Sequence, residues 1–360
     1  MKNIRTTTTA SALVACTALA ALAALGALSC SGSEYPGDPG YTPPPPPSFV
    51  PLTDLRTGSY LGFQGGLYPG GVNTAPAQHD SVGRARARAL RPLAATGTEA
   101  SSGKYVLLSI GMSNTTQEFC SGSSAPPCNW WTFVGQALAD AAVDRTSLEL
   151  VNGAAGGRTA SAWDSPTDPD YDRIRDTRLA PRGLSESQVQ AVWVKVANAQ
   201  PSSSLPAANA DAHTLVAQMG SIARALRTRY PNVRQVFFSN RIYAGYAVTA
   251  LNPEPYAYES GFAVKWVIQA QIDQMRTGAI DPRAGNLNYD TTAPWIAWGP
   301  DLWANGTTAR SDGLTYVRTD LVGDGTHPSD GGQQKVGRLL LDFFKGSPYT
   351  SCWFLADRSC

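Results

Sequence analysis

Tyr105-Val-Leu-Leu-Ser-Ile-Gly-Met-Ser-Asn114 is the stretch on which the reading of the fold turns. Val106 to Ile110 is a short aliphatic run of the kind that forms a strand buried on both faces of a parallel sheet. Gly111 breaks the run, which puts Ser113 just past the carboxyl end of the strand, where open α/β sheets bind their ligands. Taken alone, a serine there reads more readily as a turn or helix-cap residue. It needs partners before it reads as a nucleophile.

Those partners lie far downstream, in Gly323-Asp324-Gly325-Thr326-His327-Pro328-Ser329-Asp330. A serine hydroxyl is a weak nucleophile until an imidazole accepts its proton, and the imidazole needs a carboxylate to fix its tautomer and stabilise its cation. Asp324 and His327 can supply both. The chain has three histidines, His79, His213 and His327. The one inside an Asp-x-x-His turn is the candidate base, while His213 reads as a surface residue in the first turn of a helix.

On these residues the chain resembles the SGNH hydrolases, the superfamily that includes GDSL-type lipases and esterases. Four blocks match in order, from Tyr105 to about Gly337. Gly111-Met112-Ser113 stands where the family has Gly-Asp-Ser. Val151-Asn-Gly-Ala-Ala-Gly-Gly-Arg-Thr159 follows an apolar stretch, and Ala191-Val-Trp-Val-Lys-Val-Ala-Asn198 is a strand ending in asparagine. The Asp324-to-His327 turn, followed by Pro328, is the fourth. The resemblance implies an oxyanion hole formed by the Ser113 and Gly157 backbone N–H groups and the Asn198 amide. Met112 replaces the family's aspartate, and Val196 and Ala199 replace the glycine and aspartate around its asparagine. Lys195, beside the third block, reads either as positive charge added near the site or, more readily, as a solvated strand-end lysine.

At 360 residues and a formal charge of +1, the chain is long enough for one large domain and gives no reason to expect a nucleic-acid partner. Residues 1–30 read as an export signal: Lys2 and Arg5, a threonine run, then Ala and Leu almost without interruption up to Ser29 and Cys30. Cys30 is the candidate lipidation site of a bacterial lipoprotein. A plain secretion signal and an uncleaved anchor are the other readings. Residues 31–48, with Pro43 to Pro47 in a row, read as an extended linker. Residues 49–360 form the expected catalytic domain with an N-terminal extension and insertions.

Cys120 and Cys128, and Cys352 and Cys360, share one spacing. In an exported protein two local disulfides are the simplest of the possible pairings. Asp168 to Asp172 has the acidic look of a calcium loop but lacks that motif's glycine and final glutamate, and no metal or cofactor is expected.

Strands are predicted at Leu148–Val151, Val189–Val196 and Val233–Ser239, and helices at Asp80–Leu93, Trp131–Ala142, Asp211–Tyr230, Phe262–Gln274 and Gly331–Phe344. The last should turn Val336, Leu339, Leu340 and Phe343 inward behind His327. This alternation implies a three-layer α/β/α sandwich. By the resemblance, its sheet is mainly parallel, flavodoxin-like and about five-stranded.

Asn240 and Arg241 follow the fourth predicted strand. They are expected near the cleft, with Asn240 a rival to Asn198 as oxyanion donor. Glu259, in an insertion, is a candidate pocket residue, and Trp295, Trp298 and Trp303 read either as core or as a sugar-stacking wall. The expected function is an exported serine esterase acting on short-chain, O-acetyl esters of carbohydrate. The alternatives are a lipase or phospholipase, and a non-catalytic surface glycan-binding lipoprotein.

Overall fold

The computed structural model describes residues 49–121 and 126–358. The expected export signal, the linker and the pairing of Cys352 with Cys360 fall outside them. Strand β1 (Tyr105–Gly111) is buried along its whole length because its two rows of side chains enter two different cores. Val106, Leu108 and Ile110 point into one, while Tyr105 and Leu107 point into the other.

β1 pairs in parallel with β2 (Leu148–Asn152) and β3 (Val189–Lys195), β3 pairs with β4 (Gln235–Phe238), and β4 with β5 (Trp295–Trp298). The order 2-1-3-4-5 is the flavodoxin-like one expected. β5 lies inside the tryptophan-rich segment, where the sequence analysis marked no strand. Only four residues long, between Pro294 and Gly299, it is too short to show a periodicity of its own.

Helices cover both faces, as crossovers between parallel strands require. On one face lie α4 (Asp211–Arg229) and α5 (Tyr256–Thr277), which bury Leu215, Met219, Ile222 and Leu226 with Val264, Val267 and Ile268 against the first row. On the other lie α1 (Ala77–Ala89), α2 (Ser113–Cys120), α3 (Phe133–Ala139) and α6 (Asp330–Gly346), packed on Leu107, Trp193 and Phe237. α6 turns a slightly different stripe inward from the one expected. Val336, Leu340, Leu341 and Phe344 are buried, while Leu339 and Phe343 are only partly covered. α5 runs well beyond the predicted Phe262–Gln274 because the Glu254 carboxylate accepts the Tyr258 N–H at 2.9 Å and supports an earlier first turn.

The N-terminal extension is part of this body. A short antiparallel hairpin, Ser59–Tyr60 with Phe63–Gln64, is held where the Lys265 ammonium donates to the Gln64 carbonyl at 2.7 Å. Leu52, Tyr60, Tyr258, Phe262 and Trp303 form a third apolar cluster beneath it. The segment read as a possible calcium loop, Asp168 to Asp172, is instead the start of a short helix, Pro169–Ile174, and its carboxylates are occupied by guanidinium groups: Arg158 and Arg173 pair with Asp170, and Arg175 and Arg229 with Asp172. Cys120 and Cys128 are joined in a disulfide. No helix among the described residues is long and apolar enough to cross a membrane.

Candidate active site

Four successive strands end at one rim of the sheet, and the segment leaving each of them contributes to one cavity of about 420 Å³. Ser113 comes from the exit of β1, Gly157 and Thr159 from that of β2, Asn198 to Gln200 from that of β3, and Arg241 from that of β4. Gly111 makes the first exit possible. Its backbone has φ +155°, and a Cβ there would stand 2.2 Å from the Lys195 carbonyl oxygen and 2.3 Å from Thr115 Oγ1. Only glycine lets β1 leave the sheet so close to the end of β3. Ser113 is the first residue of α2, so its N–H has no acceptor within the helix.

The structure brings Ser113, His327 and Asp324 together. Ser113 Oγ lies 2.7 Å from His327 Nε2, and His327 Nδ1 lies 2.5 Å from Asp324 Oδ2. The turn that presents them is built by Asp324 itself, whose other oxygen accepts the Thr326 and His327 N–H groups at 2.9 and 3.0 Å. Gly325 takes φ +67° there, and a Cβ would run into the Tyr246 carbonyl oxygen at 1.8 Å. Burial raises the Asp324 carboxyl, but the imidazole and the two N–H groups outweigh it and hold the group below its ordinary range. The other histidines are engaged elsewhere: His79 Nε2 meets the Ile296 carbonyl, and His213 stacks on Trp266.

Gly157 and Asn198 line the same cavity as Ser113. Asn198 Nδ2 donates to Gln218 Oε1 at 3.3 Å, and its carbonyl accepts from Asn252 at 2.6 Å. Asn240 does not reach the cavity. It is buried where its amide donates to Asp301 at 2.6 Å and accepts the Leu302 N–H at 2.7 Å, so its hydrogen-bonding capacity is used in tying β4 to the segment after β5. Arg241 does line the cavity.

Glu259 is likewise away from the site, buried under the N-terminal extension, where it accepts from the Tyr60 hydroxyl and the Leu205 N–H. The three tryptophans are core and loop pins, with exposures of 0%, 3% and 1% for Trp295, Trp298 and Trp303. Their indole N–H groups donate to His79 O, Leu67 O and Glu254 Oε1. A side chain with no exposed face cannot stack on a sugar.

Asn114 and Asn252 were not singled out in the sequence, and Lys195 was read there as solvated. Asn114, next to the serine, donates to the Thr326 carbonyl at 2.9 Å and so ties α2 to the histidine turn. Asn252 lines the cavity and braces Asn198. Lys195 is fully buried rather than solvated, and it pairs with both oxygens of Glu118 on α2. Burial pulls its ammonium down to about 8 against the opposing pull of Glu118. Asn114 and Lys195 had a sequence signal in their positions, beside Ser113 and beside the third block. The role of Asn252 and the burial of Lys195 depend on contacts between distant segments.

No family model matches the sequence, and no curated protein matches it. Among solved structures, the chain is similar to an acetyl-xylooligosaccharide esterase variant from Geobacillus, at 14% identity and TM-score 0.35 over 67% of this chain and 95% of that one. It is also similar to a family two carbohydrate esterase from Clostridium thermocellum, solved in complex with cellohexaose, at 17% identity and TM-score 0.36 over 69% and 66% of the two chains. An extracellular lipase from Streptomyces rimosus aligns at 12% identity and TM-score 0.32, over 66% and 97%. The chemistry of the site rests on its own geometry.

Proposed function

We propose that the protein is an exported serine ester hydrolase of the SGNH type, and that it removes short acyl groups, O-acetyl above all, from carbohydrate. The observation that carries the hydrolase reading is the continuous Ser113–His327–Asp324 hydrogen-bonded chain at 2.7 and 2.5 Å. His327 Nε2 takes the Ser113 proton as Oγ adds to the ester carbonyl. Asp324 holds Nδ1–H and stabilises the imidazolium. The tetrahedral oxyanion is stabilised by the Ser113 and Gly157 N–H groups and the Asn198 amide. As the C–O bond breaks, His327 returns the proton to the departing alkoxide. Water, deprotonated by the same imidazole, then releases the acid and restores Ser113.

The size of the cavity favours a small acyl group. About 420 Å³ lies at the low end of the range for ligand pockets. Asn114, Thr159, Asn198, Gln200 and Asn252 supply hydrogen-bonding groups beside the apolar Met112, Ala199 and Leu251. Export is supported by the Cys120–Cys128 disulfide, a bond that persists in oxidising compartments, and Cys30 remains the proposed lipid attachment site.

A panel of chromogenic esters from acetyl to long-chain, together with an acetylated polysaccharide, tests the reading. Turnover should be greatest on acetyl and fall steeply with chain length, and acetate should be released from the polymer. A preference for long chains with no acetate released would point to a lipase instead. No turnover of any ester would leave the non-catalytic glycan-binding alternative.

A further inference from the structure

Arg241 is 2% exposed and lines the cavity that holds Ser113 and His327. Among the described residues the only hydrogen-bond acceptor of its guanidinium is the Met112 thioether, 3.8 Å from Nη1, and sulfur in a thioether accepts weakly. Among the described residues Nε and Nη2 have no partner, and no carboxylate forms an ion pair with the group. The nearby acids are all engaged. Glu118 is taken by Lys195, Glu254 by the Ala244 and Tyr258 N–H groups and the Trp303 indole, and Asp324 by His327 and its own turn.

Arg310 shows how this fold satisfies a buried guanidinium when structure is the only purpose. It is paired with Asp312 and Asp301 and donates to two backbone carbonyls. A buried ion lacking its hydrogen bonds is costly, so a ligand that completes them is favoured at Arg241.

The rest of the cavity wall matches that use. Its lining residues include no aspartate or glutamate, and Arg241 is their one permanent charge among amides, hydroxyls and a few apolar groups. We infer that Arg241 is the receptor for a carboxylate on the substrate, so that the preferred ester is an acylated acidic sugar such as a uronate. The carboxylate takes the place of the Met112 sulfur. Methionine is unbranched and repacks readily, and a planar guanidinium fork suits a carboxylate in a bidentate pair. This assignment rests on the esterase reading for its orientation relative to Ser113, but the binding of the anion does not.

The test compares two esters that differ in one group, monoacetylated methyl glucuronoside and monoacetylated methyl glucoside. The protein should favour the acidic ester by about 10- to 100-fold in kcat/KM, the range of one charge-assisted hydrogen-bonded pair, with most of the difference in KM. In Arg241→Gln the ratio should collapse to about one, and Arg241→Lys should retain part of it. A wild-type ratio near one, or a ratio that survives Arg241→Gln, overturns the assignment. So does an equal fall in kcat on both esters, which would make Arg241 a transition-state or structural group.

If neither ester is hydrolysed, the parent reading fails, and calorimetry with glucuronate and glucose still decides the inference. Glucuronate bound by Ser113→Ala and lost in Ser113→Ala/Arg241→Gln supports it, and equal affinity for the acid and the neutral sugar overturns it.

Discussion

The exits of β1 to β4 and the exit of β5 leave the same parallel sheet on the same side, yet they do opposite things. Around Ser113 the chain ends in small and polar residues that line a cavity, and Nε and Nη2 of the Arg241 guanidinium in its wall have no partner among the described residues. From Trp295 to Trp303 the exit is filled by indoles, each with its N–H satisfied and its faces covered. Both regions carry residue types that suggest function. What separates them is whether polar capacity remains open to a ligand, because a group that already has its partners gains little by binding.

The largest difference between the two regions should be catalytic. His327→Ala should lower kcat on an acetyl ester by about 10⁴-fold or more, leaving what the oxyanion donors provide, with the melting temperature little changed. A variant that kept a tenth of its turnover would place the base elsewhere.

Next comes the ion pair beneath the site. Lys195→Met should destabilise the fold by about 3–5 kcal/mol by stranding the Glu118 charge, and adding Glu118→Leu should recover most of that loss. Denaturant titration of the two single variants and the double variant reads the coupling. Additive losses would mean that the two groups do not depend on each other.

The aromatic exit should behave in the reverse sense. Trp303→Phe is expected to cost about 2 kcal/mol of stability through lost packing and the loss of the Glu254 hydrogen bond, while kcat/KM on an acetyl ester stays within about threefold. A selective loss of activity on carbohydrate esters, at unchanged stability, would return this tryptophan to the substrate site.

The smallest effect concerns Glu259. Burial pushes its carboxyl from an ordinary 4.5 up to about 7. Between those values the unfolded chain gives up the proton more readily than the folded one, so stability falls as pH rises from about 4.5 to 7 and then levels off. Glu259→Gln should flatten that slope, by on the order of 1–2 kcal/mol across the window after allowance for screening. Parallel stability–pH curves for the two proteins would remove Glu259 as its source.

The sequence made the fold legible where periodicity was long and local. β1, the 19-residue α4 and α6 came from apolar rows and turn residues within a few positions of one another. The Asp324–His327 turn was equally local, and its link to Ser113 rested on chemistry that needs three particular side chains. The parts that misled were those whose meaning lies in a distant partner. Asn240 looks free until Asp301 is beside it, Glu259 until Tyr60 and Leu205 are, and Lys195 until Glu118 is. The tryptophans could be read as wall or as core, because a sequence does not say which residues will cover an indole. β5 was too short and too closely bounded by Pro294 and Gly299 to be seen as a strand.

Covalent trapping of the nucleophile tests the central claim most directly. The protein is incubated with a fluorophosphonate, which phosphonylates an activated serine, and is then digested and mapped by mass spectrometry. The account predicts one phosphonate per chain, on Ser113, with ester turnover lost in step with labelling and no adduct in Ser113→Ala or His327→Ala. Ester hydrolysis that persists in Ser113→Ala, or a stoichiometric adduct on another serine, would contradict it.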